Sequence, residues 1–165
     1  MSVVVICRAA LVGALVALAS PALARGPAVK PVPIATAVAP EVRGAAASVD
    51  AFHAALRRGD TKAAVALLAD DVLIFESGEV ERSRAEYAGH HLGADAAFSA
   101  AVPSMLTRRS GQSNGAMAWV ASEGKTSGTY KGKPIDLATT ETMVLRRVGK
   151  GWRIVQIHWS SAKSR

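Results

Sequence analysis

Four histidines occur in the 165 residues, and two of them, His90 and His91, stand side by side in the segment EYAGHHLGAD from Glu86 to Asp95. Imidazole beside carboxylate is the pairing that moves protons near neutral pH or holds a transition ion. On a helix, residues four apart share a face. That spacing stacks Tyr87, His91 and Asp95 on one side and sets Glu86 with His90 on another. The apolar members of the turn are Tyr87, Ala88 and Leu92, so His91 is expected to face inward and His90 outward beside Glu86.

A second pairing comes from ETMVLRRVGKGWRIVQIHWSS, where two strand-like runs flank the turn VGKG. If Arg147 faces Trp152, the hairpin sets Leu145 against Ile154, Met143 against Gln156 and Glu141 against His158. A carboxylate held against an imidazole fixes its tautomer and raises its basicity toward neutral pH, where proton abstraction is most efficient. Glu141 and His158 are therefore the candidate acid–base pair, with His91 or Tyr87 to steady a developing oxyanion. Two other uses of these residues stay open. His158 can be a wall residue that satisfies one polar spot of a half-buried sheet. Alternatively, His91, Asp95 and His158, with Glu141 or Glu76, carry the imidazole and carboxylate groups of a metal site. No H-E-x-x-H or other fixed-spacing motif accompanies them, and no resident metal or cofactor is expected.

The elements that must position these residues follow from periodicity. SVDAFHAALRRGD places Val49, Phe52, Ala55 and Leu56 at helical spacing, with Ser48 as N-cap and Gly59 as stop. Asp60 then caps a second short helix, TKAAVALLA. DDVLIFESGEVERS switches to period two, with Val72, Ile74 and Glu76 on one face, Leu73 and Phe75 on the other, and a turn at Ser77 and Gly78. Ser83 and Glu86 have capping-box spacing, so a third helix should carry the histidines on its last turn. Beyond GADAAFSAAVP the expected strands are 105–112, 116–123, 135–148 and 152–161, with GKTSGTYKGKP read as turn-rich. Helices followed by a long antiparallel run define an α+β fold.

The two ends narrow the function classes. The first 24 residues carry one charge, Arg8, an apolar run from Ala9 to Ala19, the breaker Pro21 and the triplet Ala22, Leu23, Ala24, which reads as a secretory signal cleaved after Ala24. The apolar run is too short for a membrane anchor. Residues 25–47, with Pro27, Pro31, Pro33 and Pro40, read as an extended linker. The single cysteine, Cys7, leaves with the signal, so a mature exported chain has no disulfide, thiolate metal site or cysteine nucleophile. The formal charge of +7 and pI of about 10.1 raise the question of nucleic acid. The pairs Arg57/Arg58, Arg108/Arg109 and Arg146/Arg147 are scattered, however, and a solvated basic surface is expected instead. No glycine-rich phosphate loop and no G-x-S-x-G elbow is present.

Taken together, FHAALRRGDTKAAVALLADDVLIFESG, SRAEYAGHHL and ETMVLRRVGKGWRIVQIHWSS resemble the SnoaL-like, ketosteroid-isomerase-like branch of the nuclear transport factor 2 superfamily, over residues 48–162. The resemblance implies a cone-shaped α+β barrel, in which a curved antiparallel sheet wraps N-terminal helices around a mostly apolar pocket, often as a homodimer. It also implies a general base acting on a carbon acid in the catalytic members. Tyr87, His91, Glu76, Met143, Gln156 and Trp159 are the residues expected to line such a pocket. The expectation is an exported, periplasmic or secreted protein that binds a small apolar or amphipathic molecule. The alternatives are an isomerase, dehydratase or cyclase using Glu141 and His158, and a metal-binding variant using His91, Asp95 and His158. Fold alone does not choose among them.

Overall fold

The computed structural model describes residues 38–164, so the expected signal, Cys7 and most of the expected linker lie outside the described residues. A 3-10 turn at Pro40–Val42 leads into helix α1, Arg43–Arg57, which starts five residues ahead of Ser48. The run of alanines there has the highest helix propensity, and Ala45 and Ala46 already belong to the buried stripe with Val49, Phe52, Ala55 and Leu56. Ser48 is thus inside the helix, its hydroxyl donating back to the Gly44 carbonyl at 3.4 Å. Gly59, at φ +68°, ends the helix as expected. Asp60 caps α2, Thr61–Ala66, by accepting from the Ala63 N–H at 3.0 Å.

Strand β1, Leu68–Glu76, turns through Ser77 and Gly78 into the short β2, Glu79–Glu81. Helix α3, Arg84–Gly89, opens on Ser83, whose Oγ accepts from the Glu86 N–H at 3.0 Å, while the Glu86 carboxylate accepts from the Arg82 N–H at 2.6 Å. The helix breaks at His90 and His91, and a further helix, α4, runs from Leu92 to Ala101. GADAAFSAA offered no apolar stripe to announce it, because alanine fits a buried or an exposed face equally well.

Four long strands complete the chain: β3, Ser104–Ser113; β4, Met117–Tyr130; β5, Lys133–Val148; and β6, Gly151–Lys163. The stretch expected to be turn-rich is mostly the far half of β4, and the hairpin turns only at Lys131 and Gly132. The sheet order is β2-β1-β6-β5-β4-β3. Every neighbouring pair is antiparallel except β1 with β6, which is parallel, so the curved sheet is mixed rather than purely antiparallel. The whole intervening chain connects those two strands, long enough for the crossover that parallel pairing requires.

The final hairpin departs from the expected register. Arg147 pairs with Trp152 and Leu145 with Ile154, but the next pair is Val144 with Gln156, and the extra residue Val155 forms a bulge. Beyond it every partner moves by one. Met143 meets Ile157 rather than Gln156, Thr142 meets His158, and Glu141 meets Trp159. A one-residue shift exchanges the faces of a strand, so the Glu141–His158 pairing expected from the sequence does not form.

Two rows of inward side chains then cross the sheet. The first, Gly111, Val120, Met143, Ile157 and Ile74, is aligned strand to strand from β3 to β1 and closes against α1 as the core. The second lies two residues along each strand: Arg109, Ser122, Glu141, Trp159 and Glu76. It marks the level at which the packed core gives way to an open cone.

Candidate active-site cavity

The cone holds a cavity of about 670 Å³, and all five residues of the polar row line it. Helix α1 faces that row with Asp50, His53 and Arg57, spaced three and four residues apart along the edge of its apolar stripe. Two links join helix to sheet. Arg109, only 8% exposed, donates Nη1 to Asp50 Oδ1 at 2.6 Å and Nε to Ser122 Oγ at 3.2 Å. Glu141, 9% exposed, takes the His53 Nε2 donor at 2.7 Å and the Trp159 Nε1 donor at 2.8 Å, both on Oε2. Burial pushes the Glu141 carboxyl up, but the His53 charge and hydrogen bond, the Trp159 hydrogen bond and the Arg109 charge outweigh it and hold the group below the usual glutamate range. With Glu141 ionised, His53 carries its proton on Nε2, and its Nδ1 is the basic nitrogen. Arg109 therefore corrects the expectation that the basic pairs form only a solvated surface.

The opposite wall is acidic. Glu76 ends the polar row, and Asp95 of α4 also lines the cavity, accepting from the Tyr87 hydroxyl at 2.8 Å. Burial raises the Glu76 carboxyl, with Asp95, Glu81 and Glu79 adding to the rise and His91 opposing it. Asp95 is likewise raised by burial, against the lowering effects of the Tyr87 hydrogen bond and His91. The Tyr87 phenol is pushed far above its ordinary value by burial and by Asp95.

Of the residues singled out from sequence, Glu141, Glu76, Trp159 and Asp95 line the cavity, while Tyr87, His91, Met143, Gln156 and His158 do not. Tyr87 and Met143 are fully buried in the core. His91 is part-exposed and acts as a clamp at the α3–α4 junction: Nδ1 pairs with Glu81, and Nε2 lies 3.2 Å from Glu79. Gln156 follows the bulge and alternates away from the buried Ile154 and Ile157. His158 points outward against the Phe75 ring, at 6.3 Å between centroids. His91 and His158 therefore stand on opposite sides of the sheet, and among the described residues no group of three or more His, Cys, Asp or Glu side chains is placed to hold a metal ion. His90 is exposed, and Glu86 serves the backbone of Arg82 rather than His90. His53, Asp50, Arg109 and Ser122 were not among the site residues expected from sequence. The Asp50/His53/Arg57 spacing beside the α1 stripe was the available signal, but nothing local tied it to Glu141.

Comparison with known proteins agrees with this architecture. The family model described as a SnoaL-like domain matches residues 45–164. A protein of solved structure from Shewanella frigidimarina, provisionally designated a ketosteroid isomerase, is 38% identical over 75% of this chain and 100% of its own, with a TM-score of 0.70. A provisionally designated dehydratase of the NTF2-like family from Streptomyces avermitilis is 22% identical over 75% of this chain and 98% of its own, with a TM-score of 0.61. An NTF2-like protein with a cystatin-like fold from Novosphingobium aromaticivorans is 18% identical over 72% of this chain and 80% of its own, with a TM-score of 0.60. No curated protein matches the chain. With its cone-shaped α+β fold and a family match spanning most of its length, the chain belongs to the SnoaL-like domain family of the nuclear transport factor 2-like superfamily.

Proposed function

We propose that this protein binds a small amphipathic molecule in its cone and acts on it by proton transfer, in an isomerase- or dehydratase-type reaction. One observation carries the reading: a buried carboxylate, Glu141, orients an imidazole, His53, at the floor of a cavity of about 670 Å³. Such a cavity suits one ligand of drug-like size. The carboxylate fixes the tautomer of His53, so Nδ1 can take a proton from a carbon beside a carbonyl. On the opposite wall, Glu76 and Asp95 have raised carboxyls suited to returning one. The provisional designation of the Shewanella protein supports the same class. The test is a panel of β,γ-unsaturated and β-hydroxy ketones, followed by the ultraviolet absorption of the conjugated enone product. His53→Ala is expected to lower turnover about a hundredfold or more, and His158→Ala, on the outer face, to leave it unchanged. A loss on His158→Ala with none on His53→Ala would sink this assignment.

Export is part of the proposal and rests on the pattern of the first 24 residues. N-terminal sequencing of protein recovered from the periplasm is expected to begin at Arg25; an intact Met1 there would contradict it. A homodimer through the outer sheet face is supported by the exposure of Leu73, Met117 and Trp119, side chains of 37% to 40% exposure on a face that carries no helix among the described residues.

A further inference from the structure

Two links between helix and sheet set the floor of the cavity. Arg109 is held by Asp50 and Ser122, and His53 by Glu141. One demand is unmet. Glu141 is nine-tenths buried and lines the cavity, and its Oε2 receives both His53 and Trp159, but Oε1 is buried without a hydrogen-bond partner among the described residues. An ionised carboxylate can only accept, and leaving a buried acceptor unpaired is unfavourable.

We infer that the ligand of this cavity is a neutral molecule bearing a hydroxyl or N–H group that donates to Glu141 Oε1, with its apolar body against Phe98, Val102 and Leu106 of the cavity wall. The inference rests on the small-molecule reading above and names the class of molecule that site takes. The terminal torsion of a glutamate is soft, so the carboxylate can tilt toward a donor arriving from the cone. An anionic headgroup is disfavoured despite the formal charge of +7. Arg109 already faces the Asp50 carboxylate, and the group left open at the floor, Glu141 Oε1, is an acceptor to which an anion has no proton to give.

Three fluorescent probes on one skeleton test this at neutral pH: 1-hydroxypyrene, its methyl ether 1-methoxypyrene, and pyrene-1-carboxylate, each titrated into the protein. The alcohol is expected to bind about tenfold or more tighter than the ether, the size of a hydrogen bond to a charged acceptor, with the carboxylate weakest. Glu141→Gln adds a second comparison. Trp159 and His53 both require an acceptor, so the amide oxygen takes the Oε2 position and the amide NH2 the Oε1 position. That NH2 donates to a hydroxyl or an ether oxygen alike, so the alcohol is expected to lose its advantage over the ether while both still bind. If that variant does not fold, the comparison on the unsubstituted protein decides. Equal affinities for alcohol and ether, or tightest binding of the carboxylate, overturn the inference and leave the small-molecule reading standing. No binding of any of the three overturns both.

Discussion

Glu141 is where burial, hydrogen bonding and charge meet most sharply. Its carboxyl is held below its ordinary value in the folded state, so its contribution to stability is present above the unfolded glutamate pKa of about 4.3 and is lost as pH falls through the lower folded value. Glu76 has the opposite sign. Burial and its acidic neighbours raise it, so the native state is penalised once pH rises through the raised value. Glu76→Gln is therefore expected to raise the melting temperature near pH 7, with the gain fading on acidification; a gain that does not depend on pH would refute the assignment. His91 has a raised pKa through its hydrogen bond to Glu81, set against desolvation and aided by the charges of Glu81, Glu79 and Asp95. Its clamp thus stabilises below about pH 6.5, the unperturbed histidine value, and weakens as pH rises through the raised value. His91→Ala should destabilise more at mildly acidic than at alkaline pH in denaturant titrations, and an equal loss at both would show that the ion pairs with β2 contribute little.

At the scale of elements, close approach and caps decide. A Cβ on Gly111 would lie 2.6 Å from the Trp119 carbonyl oxygen and 2.8 Å from Val42, so the 3-10 turn can seat on β3 only over a glycine. Gly111→Ala is expected to destabilise by about 1–3 kcal/mol, as overpacking does, measurable by urea unfolding; an unchanged midpoint would mean that the turn moves freely. Asp60→Ala, which removes the α2 cap at Ala63, should lower stability by about 1 kcal/mol. Local chemistry of this kind was readable in advance. The Gly59 stop, the Asp60 cap, the Ser83 cap and the period-two run at Val72 and Ile74 all follow from residues a few positions apart. Helix α4 and the extra turn of α1 were not, because alanine-rich segments carry helix propensity without an apolar stripe.

At the largest scale, a single sheet with helices on one side leaves its other side uncovered among the described residues. Trp119 alternates away from the buried Ala118 and Val120, and it shares the outer face with Met117. Trp119→Lys is expected to shift the protein from dimer to monomer in sedimentation velocity while leaving probe binding in the cone unchanged, since no part of the polar row lies on that face. A monomer before substitution would refute the proposed interface.

The sequence by itself determined the α+β order, the main caps and turns and the family, because these depend on residue type and short-range periodicity. It also supplied a carboxylate, Glu141, that the structure places at the cavity floor. Only the tertiary structure decided its partner. The Val155 bulge shifts the last hairpin by one residue and sends His158 outward, while Glu141, in line with the buried Leu145 and Met143 of β5, faces His53, a residue 88 positions away on α1. A bulge is fixed by how a strand must curve over its core, and that curvature is a property of the assembled sheet rather than of any window of sequence.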